Sequence, residues 1–205
     1  MKKLVLFALL FLFVVPGLRA QDAAATQSSK NSRDNVPCPK AYLGMNAGIN
    51  NPNGLFGFSF EIPVKNGFVL SAGAGAGLWG TWAYGEGRYY LKPCQRAWAL
   101  GAGFTHSTGR RNFQPGKAMS TIGGPEHISL DLLPQTNFYL AIYRAWNLGK
   151  KRNKIFADLG WSVPFRNKDF KQISGDPITQ NQADKVRQWS PGGLIIGGGL
   201  YFGIH

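Results

Sequence analysis

Charge is scarce in this sequence. Asp, Glu, Lys and Arg make up only 16% of its 205 residues, well below the roughly 25% of ordinary soluble domains. Cysteine is nearly absent, with two in the chain, which is too few for a disulfide-built scaffold. His106, His127 and His205 are scattered and make no metal-ligand spacing with those cysteines, so neither a metal nor another cofactor is implied. Beyond residue 20 no stretch approaches the roughly 18 consecutive apolar residues of a transmembrane helix. The glycines keep no three-residue period, which excludes a collagen-like chain. Other components are plentiful. Glycine numbers 27, aromatics are 13% and hydrophobic residues 44%, and that apolar content excludes a disordered chain. Basic residues outnumber acidic ones 23 to 10, for a formal net charge of +13.

The first twenty residues read as an address. Lys2 and Lys3 precede an apolar run from Leu4 to Val15, closed by Pro16 and Gly17, with the small Ala20 suited to cleavage. This is the pattern of a secretory signal peptide, 1–20. Residues 21–40 are polar and read as an N-terminal tail. Residues 41–205 then form one body.

In that body the helical period fails and a period of two fits. Leu43, Met45, Ala47 and Ile49 share one face of a first strand, and Phe56, Phe58, Phe60 and Ile62 one face of a second. The same alternation predicts a third strand over 68–78, a fourth over 83–91 and a fifth over 98–105. A long sixth covers 127–143, with Leu130 on its apolar face, a seventh covers 155–163 and an eighth 194–204, with Leu200 on its apolar face. Most run to about nine to eleven residues, the span of a tilted strand across a bilayer. Links near 65–67, 93–96 and 147–153 are short, as are those near 50–54 and at Gly80. The links 107–126 and 166–192 are long and fall on one side by parity. The face opposite the apolar one holds mostly Gly, Ser and Tyr. That is a poor exterior in water and a good filling for a narrow eight-stranded interior. The expected fold is therefore all-β: a transmembrane, antiparallel, eight-stranded up-and-down barrel with its apolar face toward lipid, Tyr89, Trp98 and Trp161 standing in aromatic girdles.

Together, the leader, the eight alternating segments, the parity of loop lengths and the terminal GGLIIGGGLYFGIH resemble a small bacterial outer-membrane β-barrel of the OmpA/OmpX type. The similarity is to an architecture rather than to one family, and it ends in His205 where such chains carry an aromatic residue. It implies an outer-membrane location, recognition by the barrel assembly machinery, and contact with outer-membrane lipid and lipopolysaccharide. Nucleic acid is a poor partner in that compartment. A role in structure or surface binding would fall to the two long loops, which carry Arg110, Arg111, Lys117, Arg166, Lys168, Lys171, Lys185 and Arg187.

Three groups of residues are candidates for more. Parity turns Glu61, Glu86, Arg88, Asp131 and Asp158 inward, where a charge needs a partner. They read first as an ion-pair network that plugs the barrel and second as an ion path. Turn positions place Glu61 near Ser71, Ser71 near Tyr89, and so Glu61 and Arg88 at similar height. His127, Ser129 and Asp131 alternate on one face of the sixth strand. A His-x-Ser pair resembles the motif of lipid A deacylase barrels, with Ser as nucleophile and His as base. Asp131 is a weak substitute for that family's orienting Glu, so catalysis is the lesser reading. A secreted soluble barrel that binds an apolar ligand is a further alternative. Cys38 and Cys94 fall at the same end of the barrel in an oxidising compartment, which predicts a disulfide. The run Gly75-Ala-Gly77-Leu-Trp-Gly80 matches a dinucleotide fingerprint in letters only, since no helix opens after it.

Overall fold

Alternating side chains give each strand one apolar and one polar face, and a closed ring of such strands leaves no strand edge unpaired. A computed structural model of the chain describes residues 38–65, 67–91, 98–114, 128–149, 153–166, 168–175, 177–178 and 180–205. Eleven strands lie among them: β1 (Ala41–Asn51), β2 (Gly54–Lys65), β3 (Phe68–Gly77), β4 (Gly80–Tyr90), β5 (Trp98–Ser107), β6 (Arg110–Phe113), β7 (Ser129–Leu132), β8 (Gln135–Leu148), β9 (Asn153–Pro164), β10 (Phe170–Ser174) and β11 (Gly193–Ile204). One helix, α1 (Gln180–Gln188), precedes β11. No helix among the described residues is long and apolar enough to cross a membrane.

Eight strands close into a barrel in the order β1-β2-β3-β4-β5-β8-β9-β11, each antiparallel to its neighbours. The other three form a separate sheet, β10-β7-β6. The wall is polarised. Leu43, Phe56, Phe58, Phe60, Leu100, Leu140, Leu159 and Leu200 stand outward and exposed, as do Tyr89, Trp98 and Trp161. Inside are Tyr42, Tyr84, Tyr90, Tyr139, Tyr143 and Tyr201, with Ser59, Ser71 and five charged side chains.

The long sixth strand is corrected. It breaks at Leu133 and Pro134 into β7 and β8, and β8 runs on to Leu148. Proline has no N–H for a central ladder, and Leu133 N instead donates to Asp169 O at 2.9 Å. Leu130 is therefore not on the outer wall. It is fully buried in a second core with Trp79, Trp82, Phe113, Ile128, Leu132 and Val186. The two long links are thus woven into one cap, because β7 from the first pairs with β10 from the second. Gln135 Nε2 adds donations to Lys168 O at 3.1 Å and Asp169 Oδ1 at 2.9 Å. The β3–β4 turn anchors the cap to the barrel. Trp79 Nε1 donates to Leu133 O at 3.2 Å, and Thr108 N to Thr81 O at 2.9 Å.

The register of β3 with β4 is also corrected. Glu61 pairs with Ser71 as expected, but Ser71 pairs with Glu86, not Tyr89. The turn is centred between Leu78 and Trp79, ahead of Gly80, whose φ of 87° opens β4. That shift puts Glu61 and Glu86 on one level.

Candidate functional site

Two carboxylates on one level inside a narrow ring repel unless a cation separates them. Arg88, two residues along β4 from Glu86, is that cation. Its Nη1 donates to Glu61 Oε1, its Nε to Glu86 Oε2 at 2.8 Å, and its Nη2 lies 2.7 Å from the same Glu86 oxygen. The guanidinium lies 4.0 Å from the centre of the Tyr143 ring, and Nη1 also donates to Tyr201 Oη at 3.1 Å. Planar, multi-donor and weakly hydrated, guanidinium suits such a site better than an ammonium. Tyr90 Oη donates to Glu61 Oε1 at 3.3 Å. The glycine at 101 is required here, since a Cβ would overlap the Glu86 carboxylate.

A second interior cation, Lys154, stands at the start of β9. Its Nζ is 3.7 Å from Glu61 Oε2 and sits 3.7 Å over the Tyr42 ring. In the sequence Lys154 directly follows the basic run Lys150-Lys151-Arg152, and it was not among the inward charges. Extending the inward parity of Asp158 back by four residues along the strand would have found it. A ring of hydroxyls completes the filling: Ser71 Oγ is 2.8 Å from Tyr84 Oη, and Ser59 Oγ donates to Tyr201 Oη at 3.1 Å. Asp158 faces inward on β9 beside Gly197 of β11.

Asp131 is corrected. It stands on β7 in the cap, outside the barrel, and its Oδ1 accepts from Asn112 N at 2.9 Å. Ser129 shares that short strand, paired with Ser174 of β10, while His127 lies outside the described residues. The described structure therefore brings no base to Ser129. Cys38 is two residues ahead of Lys40, whose N–H donates to Ile204 O at 2.8 Å, and Cys94 lies outside the described residues. The segment from Gly75 to Gly80 is strand, turn and strand.

These features define a class: a closed, antiparallel, eight-stranded up-and-down β-barrel with an ionic interior and a folded cap on its long-loop end. No protein-family model matches the chain and no curated protein matches it. Among solved structures it is similar to the N-terminal β-barrel domain of Pseudomonas aeruginosa OprF. That comparison covers 81% of this chain and 98% of that one, at 10% identity and a TM-score of 0.47.

Proposed function

We propose that this chain is an integral outer-membrane barrel, exported by a cleaved leader, whose role is structural or surface-binding and is carried by the cap. One observation carries the reading. Apolar residues cover the outside of a closed wall while carboxylates, guanidinium and ammonium fill the inside, the reverse of a barrel that keeps an apolar ligand in water. An eight-stranded interior packed with tyrosines and ion pairs is a plug rather than a pore. The cap presents Arg110, Arg111, Arg166, Lys168, Lys171, Lys185 and Arg187 as exposed side chains, which suits the phosphate groups of lipopolysaccharide. A disulfide between Cys38, which precedes β1, and Cys94, which falls between β4 and β5 in the sequence, would pin the tail. The barrel assembly machinery would insert the chain.

Cell fractionation tests the reading. The processed protein is expected in the outer-membrane fraction, released by detergent and retained through high-salt washing. Recovery as a dispersed protein without detergent would overturn it. In the same cells, an unchanged lipid A mass profile on deletion is expected of a barrel without deacylase activity.

A further inference from the structure

Charge on the barrel wall points inward with one exception. Setting aside Lys65 at the end of β2, the charged side chains of the described wall strands are Glu61, Glu86, Arg88, Lys154 and Asp158 inside and Arg144 outside. Arg144 follows Leu140 and Ile142 on the outer face of β8 and pairs in register with the exposed Trp98 of β5. A charge among outward apolar side chains is destabilising deep in hydrocarbon and is tolerated near its rim, where water or an anion meets it.

Arg144 stands at that rim. β8 starts on the cap side at Gln135 and closes at Leu148. From Gln135 to residue 144, a strand tilted by about 40° climbs about 23 Å, close to the roughly 25 Å height of an outer-membrane barrel's apolar band. The guanidinium carbon lies over both neighbouring indoles, 5.1 Å from the centre of the Trp98 ring and 5.8 Å from that of Trp146. Both rings attract the cation and restrict it without engaging its N–H donors. No described residue accepts a hydrogen bond from Arg144 or forms an ion pair with it. The links that precede β5 and follow β8, residues 92–97 and 149–152, hold Lys92, Arg96, Lys150, Lys151 and Arg152 and no acidic residue. The adjoining sequence therefore adds positive charge and no carboxylate.

We propose that Arg144, Trp98 and Trp146 form a binding site for the phosphodiester headgroup of an anionic phospholipid, in the leaflet that meets the barrel end opposite the cap. The anion supplies the charge that the chain does not. The guanidinium fork meets two phosphate oxygens through parallel N–H donors, a match that a point charge lacks. Leu100 and Ile142, paired in register and exposed on the cap side of the site, take the acyl chains. The site is separate from the basic surface of the cap, which faces the other leaflet. The inference rests on the outer-membrane reading and adds to it a lipid class and the side chains that select it.

The test folds the full chain in a neutral detergent and counts retained lipids by native mass spectrometry during titration with phosphatidylglycerol. The first lipid is expected to bind wild type about tenfold more tightly than Arg144→Gln. Lys65→Gln, which removes an exposed charge at the end of β2, is expected to bind it as wild type does. Equal affinity in wild type and Arg144→Gln would overturn the proposal, and an equal loss in both variants would replace the site with diffuse attraction. Diacylglycerol with the same acyl chains is expected to bind wild type about tenfold more weakly than phosphatidylglycerol. Equal binding of the two would leave an acyl groove only and overturn the phosphate assignment. Millimolar inorganic phosphate is expected not to displace the lipid, and displacement would make this a free-anion site. Should Arg144→Gln fail to fold, the comparison of the two lipids on wild type decides. A wild type held in micelles without preference for phosphatidylglycerol overturns this inference alone. A wild type that stays dispersed without detergent overturns the outer-membrane reading and this inference with it.

Discussion

The barrel and its cap are built on opposite plans from one chain. In the barrel, charged groups such as Glu61 and Arg88 are buried and Phe58, Leu140 and Leu200 are exposed. In the cap, Ile128, Leu130 and Leu132 are buried and Arg110, Arg111 and Lys171 are exposed. A folded chain turns apolar surface away from water. Two opposite plans within a few residues of one another therefore mark two different surroundings. The proposed boundary runs where β5, β8 and β9 pass into the cap, at Ser107, Gln135 and Pro164. The interior network and the cap core then do the same task by different means: each shelters the side chains that its surroundings cannot hold.

Truncation on either side should reveal the contrast. The largest effect is expected from Arg88→Met, which removes the cation shared by Glu61 and Glu86 and leaves only Lys154, beside Glu61, to offset the two carboxylates. The loss should be about 3–5 kcal/mol of barrel stability, read as a lower denaturant midpoint in micelles or bilayers. Leu130→Ala comes next, at about 3 kcal/mol, and it should be confined to the cap. Proteolysis within 108–134 and 165–192 should accelerate while the barrel midpoint holds. A barrel that unfolds together with the cap would erase the distinction between the two regions. Phe58→Arg places a charge midway along the outer face of β2 and should cost about 2 kcal/mol or more in bilayers. The smallest effect belongs to Arg187→Ala. It breaks an exposed pair with Asp184 at 3.5 Å and should change the midpoint by about 0–1 kcal/mol.

The barrel was legible in the sequence because a period of two survives in every wall strand, and parity alone turned Glu61, Glu86, Arg88 and Asp158 inward. The cap was not legible. Ile128, Leu130 and Leu132 alternate in the same way whether their apolar face meets an outer solvent or a small core, so the pattern ran on through Pro134 into one long strand. Only the proline marked the break. Asp131 was misplaced by the same continuity. Register was lost where a turn centre was set by Gly80 instead of by Leu78 and Trp79, an error that moved Tyr89 into the place of Glu86. Lys154 was missed because it directly follows the basic run Lys150-Lys151-Arg152, which masks its inward parity. Its buried ammonium depends on a contact with Glu61 across the barrel, and local pattern carries no record of it.

Site-directed nitroxides at positions 58, 140 and 200 of the barrel reconstituted in lipid vesicles test the central claim most directly. Paramagnetic relaxation by oxygen should be strong at all three, and relaxation by a water-soluble nickel chelate weak. Strong relaxation by the chelate at these positions would mean that water, not hydrocarbon, covers the outer wall.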